Sequence, residues 1–241
     1  MTTIDVGLRA FDELNKEIRA CTDADLVLNN VHGQRYIGCA LAKRRITVNG
    51  TAGNALGSYL DGCTLIVNGN AQDAIGDTMN DGSIIIHGSC GDAVGYSMRG
   101  GKIFIRDSAG YRSGIHMKAY EEKQPLIIIG DRAGSFLGEY LAGGTIIVLG
   151  LHQGGKAPVG YFCGTGMHGG KIYLRCDTLP SDLPLQVSAS DATQADLAEI
   201  AKALEDYCST FALDRDSLLA SHFFVLRPNS IAPYKMLYTN V

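Results

Sequence analysis

The chain has 241 residues, of which 46% are apolar and 19% charged, and a formal net charge of -4. This length suits one large domain or two small ones. No apolar run approaches the roughly 20 residues of a membrane-spanning helix, and the N-terminus lacks the apolar core of a secretory signal, so we expect a cytoplasmic protein. Seven cysteines without a Cys-x-x-Cys pair argue against a disulfide framework or a zinc site, and the absence of a long basic stretch argues against nucleic acid.

The N-terminal segment, residues 1–30, is predicted to be a helical cap. Phe11, Leu14 and Ile18 fall on one face of a helix expected from about Leu8 to Ala20. An apolar stripe of this kind predicts that the helix packs on the end of a core.

A repeat begins after this cap and dominates residues 31–178. Thirty glycines are present, and all but Gly7 lie between positions 33 and 170. One register glycine recurs every nineteen residues, and twice more after insertions at 118–125 and 151–162. The register glycines are Gly38, Gly57, Gly76, Gly95, Gly114, Gly138 and Gly164. A period of this length indicates a repeat architecture.

Each repeat also carries a fixed apolar pattern. A leucine or methionine stands three residues after every register glycine, and a short segment with two alternate aliphatic residues follows. These aliphatic pairs are Ile46/Val48, Leu65/Val67, Ile84/Ile86, Ile103/Ile105, Leu126/Ile128, Ile146/Val148 and Ile172/Leu174. Alternation with a period of two predicts half-buried strands. We therefore predict an all-β core, a right-handed, single-stranded parallel β-helix of about seven coils with helical caps.

The strand positions predicted to face outward are apolar as well. They are Thr47, Ile66, Ile85, Phe104, Ile127, Ile147 and Tyr173, with Ile129 and Leu149 as further outward sites. A contiguous apolar face of this kind marks a covering element or a partner. Two interpretations follow: the C-terminal helix covers this face, or a partner protein or a second copy of the chain does.

Residues 179–241 are predicted to be a helical and irregular extension, without glycine and with four of the six prolines. Leu197, Ile200, Leu204 and Tyr207 recur at helical spacing within a helix expected near Asp191 to Cys208. A short helix is expected around Asp214 to Ala220.

Two glycine motifs suggest nucleotide or phosphate binding. Residues 164–169 match G-x-G-x-x-G, but a dinucleotide site needs a helix after this motif, and here the strand Lys171–Leu174 follows. Gly154-Gly155-Lys156 lacks the flanking residues of a phosphate loop. Repeat corners and a surface insertion explain these motifs better.

Charged residues and histidines offer the other candidates for chemistry. The six histidines, at positions 32, 87, 116, 152, 168 and 222, show no metal-ligand spacing. Asp73, Asp77, Asp81 and Asp92, with Arg99, Lys102 and Arg106 nearby, could form a carbohydrate-cleaving groove, but no tryptophan or aromatic sugar-stacking row accompanies them. Lys43-Arg44-Arg45 is interpreted as a solvated edge. We predict no catalytic, cofactor-binding or metal-binding residue in this chain.

Three segments resemble a known repeat. Residues 53–62, 91–101 and 134–144 are similar to the GXGXG repeat domain, the C-terminal β-helix of the glutamate synthase large subunit. Similar repeats form one subunit each of formylmethanofuran dehydrogenase and of N-methylglutamate synthase. The resemblance covers residues 31–176, and residues 30–38 resemble the start of proteins described as glutamate synthase domain 3. Gln34 and Gln72 depart from the pattern, since a glycine stands at their position in other repeats.

The resemblance implies a scaffold, because ammonia release and FMN chemistry belong to other domains of glutamate synthase. It implies a non-catalytic assembly subunit of a glutamate synthase-like amino-acid oxidoreductase in glutamate biosynthesis, without activity of its own. The implied partners are a flavin-dependent synthase and a glutamine amidotransferase, with FMN and iron–sulfur clusters on those partners, and a homo-oligomer is a further expectation. The alternative is the corresponding scaffold of a formylmethanofuran dehydrogenase-type complex.

Overall fold

A computed structural model describes residues 1–229 of the chain, which contain eleven strands and three helices. The strands are β1 Thr2–Asp5, β2 Asp25–His32, β3 Arg45–Thr51, β4 Asp61–Asn68, β5 Asp81–Ile86, β6 Lys102–Ile105, β7 Leu126–Ile129, β8 Ala142–Val148, β9 Gly169–Arg175, β10 Val187–Asp191 and β11 Phe223–Pro228. The helices are α1 Phe11–Ala20, α2 Gln194–Phe211 and α3 Arg215–Leu219. Every repeat therefore contributes one strand, as its alternating aliphatic residues predict.

The strands form one mixed sheet in the order β1-β2-β3-β4-β5-β6-β7-β8-β9-β11-β10. Neighbours from β1 to β9 are parallel, and equivalent residues of successive repeats face each other: Ile46 pairs with Leu65, and Leu65 pairs with Ile84. β11 pairs antiparallel with both β9 and β10. The chain order and the sheet order thus agree until the C-terminal segment inserts β11.

The predicted right-handed parallel β-helix of about seven coils is wrong, because the described strands form this single mixed sheet of eleven strands. The repeats supply only β3–β9. Segments predicted to be helical or irregular add β1 and most of β2 at one end of the sheet, and β10 and β11 at the other. These four strands lie outside the nineteen-residue period, so the repeat could not predict them.

The three predicted helices are confirmed, with shifted starts. α1 begins at Phe11, three residues later than predicted. Leu8 lies before the helix and is 96% exposed, whereas Leu14 and Ile18 are buried in the main core. α2 begins at Gln194 because Thr193 forms a capping box with Asp196, in which each side chain accepts a hydrogen bond from the backbone N–H of the other residue.

The register glycines are required by both their backbone conformation and their contacts. Gly57 has a φ of +66°, and a Cβ atom there would lie 2.6 Å from Cδ1 of Ile84, on the inner face of β5. Gly138 has a φ of +64°, and its Cβ would lie 2.7 Å from Cδ1 of Ile172. The turn packs directly on the strand of the next repeat, which leaves no room for a side chain. Glycine is required there because L residues also disfavour positive φ.

The strand of the fifth repeat has the opposite orientation to that predicted. Ile127 pairs with Ile103 and lies with Ile129 in the main core, whereas Ile128 faces outward. The prediction that Leu126 and Ile128 face inward is therefore wrong by one residue. Four consecutive aliphatic residues carry no alternation, and the preceding insertion removes the fixed spacing, so the sequence leaves this register undetermined.

Gln34, a departure from the glycine pattern, has a structural role in the first repeat. It is buried, its Oε1 accepts a hydrogen bond from the N–H of His32 at 2.8 Å, and its Nε2 donates to the carbonyl of Gly7 at 2.9 Å. At the equivalent position of the next repeat, a Cβ on Gly53 would lie 2.1 Å from the carbonyl oxygen of Gly33. In the first repeat the glutamine side chain instead ties the N-terminal segment at Gly7 to the sheet.

Candidate interaction surfaces

One row of side chains crosses the outer face of the sheet from β2 to β9. The strand register aligns Val27, Thr47, Ile66, Ile85, Phe104, Ile128, Ile147 and Tyr173. The last four residues of this row are buried under α2, where Ile200, Leu204 and Tyr207 form a second apolar core with them. For β6–β9, the interpretation that the C-terminal helix covers the outward face is confirmed.

Polar contacts fix α2 on this half of the face. The buried hydroxyl of Tyr207 donates to the carbonyl of Ile105 at 2.8 Å, and its ring packs edge-on against Phe104. Burial raises the pKa of Tyr207 well above its usual value, so the hydroxyl keeps its proton. Lys102 Nζ lies 3.0 Å from a carboxylate oxygen of Asp206, and this hydrogen bond lowers the pKa of Asp206.

The part of the sheet that α2 covers ends at β5. The ring of Phe211, the last residue of α2, packs edge-on against His87 with the ring centroids 5.2 Å apart. Burial lowers the pKa of His87, and nearby Arg106 lowers it further. Beyond this contact Val27, Thr47, Ile66 and Ile85 are only half-buried. We call the outer face of β2–β5 the open half and that of β6–β9 the covered half.

A second exposed surface follows the turns around the register glycines. It carries aromatic side chains within three residues of those glycines, and we call this set the aromatic row. Its members are Tyr36, Tyr59, Tyr96, Tyr111, Phe136, Tyr140, Tyr161 and Phe162. Tyr59 is 53% exposed and Tyr161 is 68% exposed. Large exposed aromatic groups in one region are typical of protein interfaces.

Rings of the aromatic row contact each other and nearby charged or polar groups. The ring centroids of Phe136 and Phe162 lie 5.1 Å apart, and the Arg112 guanidinium lies 5.2 Å from the centroid of Phe136. His116 stacks on Tyr140 with centroids 5.0 Å apart. These contacts hold the rings of Phe136, Tyr140 and Phe162 in defined positions, which lowers the entropy lost when a partner binds there.

The backbone beneath the aromatic row is strained. The residues two before and two after each register glycine have positive φ, and thirteen of these fourteen residues are not glycine. Tyr59 has a φ of +56° and donates its N–H to the carbonyl of Asp77 in the next repeat at 2.8 Å. Tyr140 has a φ of +53° and donates to Thr165 at 2.8 Å. Each such residue costs about 1–2 kcal/mol, and the hydrogen bonds between repeats hold it in place.

The predicted acidic cluster is not assembled into a groove. Asp73 Oδ1 accepts the backbone N–H of Asp92 at 2.9 Å, and Asp92 Oδ1 accepts that of Tyr111 at 2.8 Å. Asp77 accepts from the hydroxyl of Thr78, and Asp81 forms an ion pair with Lys123 at 3.2 Å. These carboxylates bind neighbouring repeats and the insertion, so they support the fold rather than a carbohydrate site.

Two of the three basic residues near that cluster, Lys102 and Arg106, also have structural partners. Arg106 forms a two-point pair with Asp107, and Lys102 binds α2 through Asp206. In the basic triplet, Arg44 donates to the carbonyl of Ile18 at 2.6 Å. These contacts link α1, α2 and the sheet.

The histidines lie apart from one another. Nε2 of His222 lies 3.0 Å from Oδ1 of Asp191, and Nδ1 of His152 lies 3.6 Å from Oδ1 of Asp131. Within residues 1–229, no three His, Cys, Asp or Glu side chains are grouped closely enough to hold a metal ion.

The glycine motifs lie in turns. Gly164 and Gly166 both have positive φ, and β9 rather than a helix follows them. Gly154 and Gly155 also have positive φ, in the insertion before β9. A dinucleotide needs a helix N-terminus after such a motif, so this geometry argues against the nucleotide interpretation.

Burial makes three of the cysteines poorly placed for chemistry. Burial raises the pKa of Cys63 and Cys176 to about 11, and that of Cys163 to about 12. A thiol becomes nucleophilic only as its thiolate, which burial disfavours.

No helix in residues 1–229 has the length and apolar composition that crossing a membrane requires.

Comparison with known proteins supports the similarity of the repeats to the GXGXG repeat domain. The chain is 43% identical over 249 aligned residues to an uncharacterized protein of Methanocaldococcus jannaschii, and the alignment covers 98% of this chain and 95% of that protein. A family model for the GXGXG motif matches residues 16–227, which suggests a glutamate synthase-related domain. The chain belongs to the GXGXG motif family.

Proposed function

We propose that this chain is a non-catalytic assembly subunit of a glutamate synthase-like amino-acid oxidoreductase. It joins a flavin-dependent synthase chain to a glutamine amidotransferase chain, and these partners carry the FMN and the iron–sulfur clusters. Family membership supports the proposal, since the repeats of this chain resemble those of the glutamate synthase large subunit. The charged residues and thiols described above also have structural partners or are buried, which suits a scaffold.

The aromatic row is the observation that carries the docking role. Its tyrosines expose large, rigid side chains, which lose little entropy on binding and are enriched among residues that dominate interface energies. All but one of the equivalent turn positions keep a non-glycine residue at positive φ, so the strain belongs to the turn, and what distinguishes Tyr59 is its exposed ring. We therefore place one partner contact on this row.

The substitution Tyr59→Gly separates the two effects. It relieves a positive φ, so the free energy of unfolding should stay equal or rise by about 1 kcal/mol. It also removes an exposed ring, so affinity for the partner should fall at least about tenfold. The matched control is Ser97→Gly, the equivalent position two repeats further on, with a φ of +51° and a small side chain. This control should relieve the same strain and leave affinity unchanged.

The measurement is reconstitution of the full chain with the purified synthase and amidotransferase chains, followed by the mass and dissociation constant of the complex. Assembly that Tyr59→Gly weakens and Ser97→Gly does not supports the proposal. Failure to assemble, or assembly that is indifferent to Tyr59, contradicts it. Stable assembly with molybdenum or tungsten subunits instead would favour the formylmethanofuran dehydrogenase-type scaffold.

A further inference from the structure

The open half continues an interface that the molecule already uses. Its row of Val27, Thr47, Ile66 and Ile85 is in register with the row that α2 covers. In the covered half, α2 crosses the strands: Glu199 pairs with Lys171 on β9, Asp206 pairs with Lys102 on β6, and Phe211 reaches His87 just after β5. α2 therefore points toward the open half and stops at its border.

The dimensions of the open half favour a single helix as its occupant. Four strands at about 4.8 Å spacing span about 19 Å, the length of a helix of about 13 residues at 1.5 Å per residue. Three outward rows at about 7 Å give a patch of about 400 Å² per molecule. Two copies pairing through it would bury about 800 Å², below the 1,200 Å² or more of a stable interface.

Charged side chains along one edge of the outer face indicate which side chain the bound helix should carry. In the covered half, the outward lysines Lys102 and Lys171 pair with acidic residues of α2. The cation of the same row in the open half is Arg45, whose side chain is 60% exposed and whose Nε lies 3.9 Å from the Asp25 carboxylate. An acidic residue on an incoming helix would meet Arg45 as Asp206 meets Lys102.

The other edge of the open half can be covered at little cost. Asn68 Nδ2 donates to Asn49 Oδ1 at 2.7 Å, and Asn49 Nδ2 donates to Asn29 Oδ1 at 2.7 Å. Burying a polar group is costly mainly when it loses its hydrogen bonds. Because these amides bond to each other within the chain, a helix laid beside them does not have to replace those bonds.

We propose that the open half binds an amphipathic helix of a partner protein, laid across β2–β5 in line with α2. The helix presents an apolar stripe to Ile66 and Ile85 and an acidic side chain to Arg45. This site is separate from the aromatic row and does not depend on which complex the chain joins.

Site-specific photo-cross-linking in cells of the source organism tests this proposal. A photoreactive amino acid replaces Ile66 or Ile85 in the full-length chain, and the control position is Ser209, on the exposed face of α2. We expect both open-half positions to link to one protein, at residues three or four apart in a segment with an apolar helical stripe. The control should give no such product. Arg45→Gln, which removes the cation without placing a second carboxylate opposite Asp25, should lower the yield several-fold with little change in the unfolding midpoint.

A peptide of the cross-linked segment then provides a second measurement on the purified chain. It should bind with an increase in helical circular dichroism, and Ile66→Asp should abolish binding. Links to a second copy, links at alternate residues of an extended segment, or a yield no higher than at Ser209 would overturn the proposal. Tyr59→Gly should leave the cross-links unchanged, so failure of the aromatic row and failure of the open half are distinguishable.

Discussion

The covered and open halves share one sheet face, yet only one of them is buried within the chain. Ile147 in β8 lies at the same row position as Ile66 in β4, but the first is fully buried and the second is half-buried. The difference comes from α2, which lies outside the repeats and is long enough to cover four strands. The repeat thus determines which side chains point outward, and the flanking segments determine which of them meet water.

The largest expected effect comes from placing a charge in each half. Ile147→Asp puts a carboxylate beneath α2 and should lower the free energy of unfolding by about 4 kcal/mol, as for other unpaired buried charges. Ile66→Asp should lower it by only about 1–2 kcal/mol, from lost strand propensity and cross-strand packing, because the open half admits water. Urea unfolding of the two variants measures both values. Equal losses would contradict the distinction between the halves.

The inner face should show no such distinction. Gly57→Ala and Gly138→Ala each force positive φ and a clash with an isoleucine of the next repeat, so each should cost about 3 kcal/mol. Gly62→Ala is the control, since Gly62 has a φ of +99° and an added methyl group would have no other atom within 4 Å. It should cost about 1–2 kcal/mol from backbone strain alone. A large difference between Gly57→Ala and Gly138→Ala would show that the two halves differ inside as well.

A smaller effect is expected at the hydrogen bond that anchors α2. Tyr207→Phe removes the hydroxyl that donates to the Ile105 carbonyl and should cost about 1 kcal/mol. Tyr59→Phe removes an exposed hydroxyl outside both halves and should be neutral. Thermal unfolding of the pair tests this, and equal stabilities would argue that the hydroxyl of Tyr207 contributes nothing to the cover.

The smallest expected effect is a pH dependence at the border between the halves. Burial lowers the pKa of His87, so the folded chain favours the neutral ring. As pH falls through about 6.5, the unfolded chain takes up the proton first, and stability decreases until the folded pKa is passed. The unfolding midpoint should therefore fall as the pH drops below about 6.5, and His87→Gln should flatten this dependence. If the unfolding midpoint of His87→Gln depended on pH as steeply as that of the unsubstituted chain, a titratable group other than His87 would cause the effect.

Much of the local structure follows from the sequence, because one pattern is repeated seven times. Glycine at a fixed interval identifies turns that pack on the next strand, as Gly57 packs on Ile84. The helical spacing of Ile200, Leu204 and Tyr207 predicts α2. Where the pattern lapses, prediction fails: β7 follows an insertion and contains only aliphatic residues, so its predicted register is one residue out.

The global arrangement depends on segments that the pattern does not cover. β10 has the sequence Val-Ser-Ala-Ser-Asp, whose alternation contains only one valine and one alanine as apolar residues, and it is held by pairing with β11. The aromatic row escapes a search of the sequence because its members stand at different offsets from the register glycine: Tyr36 lies two residues before it, Tyr96 one after and Tyr59 two after. Only the folded turns show that side chains at these different offsets are exposed. The sequence also could not decide between intramolecular cover and a partner, since the two halves differ only in what the C-terminal segment reaches.

The two margins of the sheet are both formed by strands from outside the repeats. β1 has four residues and ends in the exposed Asp5, and β10 has five residues and ends in the exposed Asp191. Between them the repeat strands β3–β9 have neighbours of similar sequence in parallel register, which is the situation in which one molecule's sheet can extend into the next. Short, charged terminal strands therefore act as stops against fibre growth. A chain shortened to the repeats alone would be expected to polymerise through its exposed sheet edges. The terminal strands therefore limit the sheet to a single molecule.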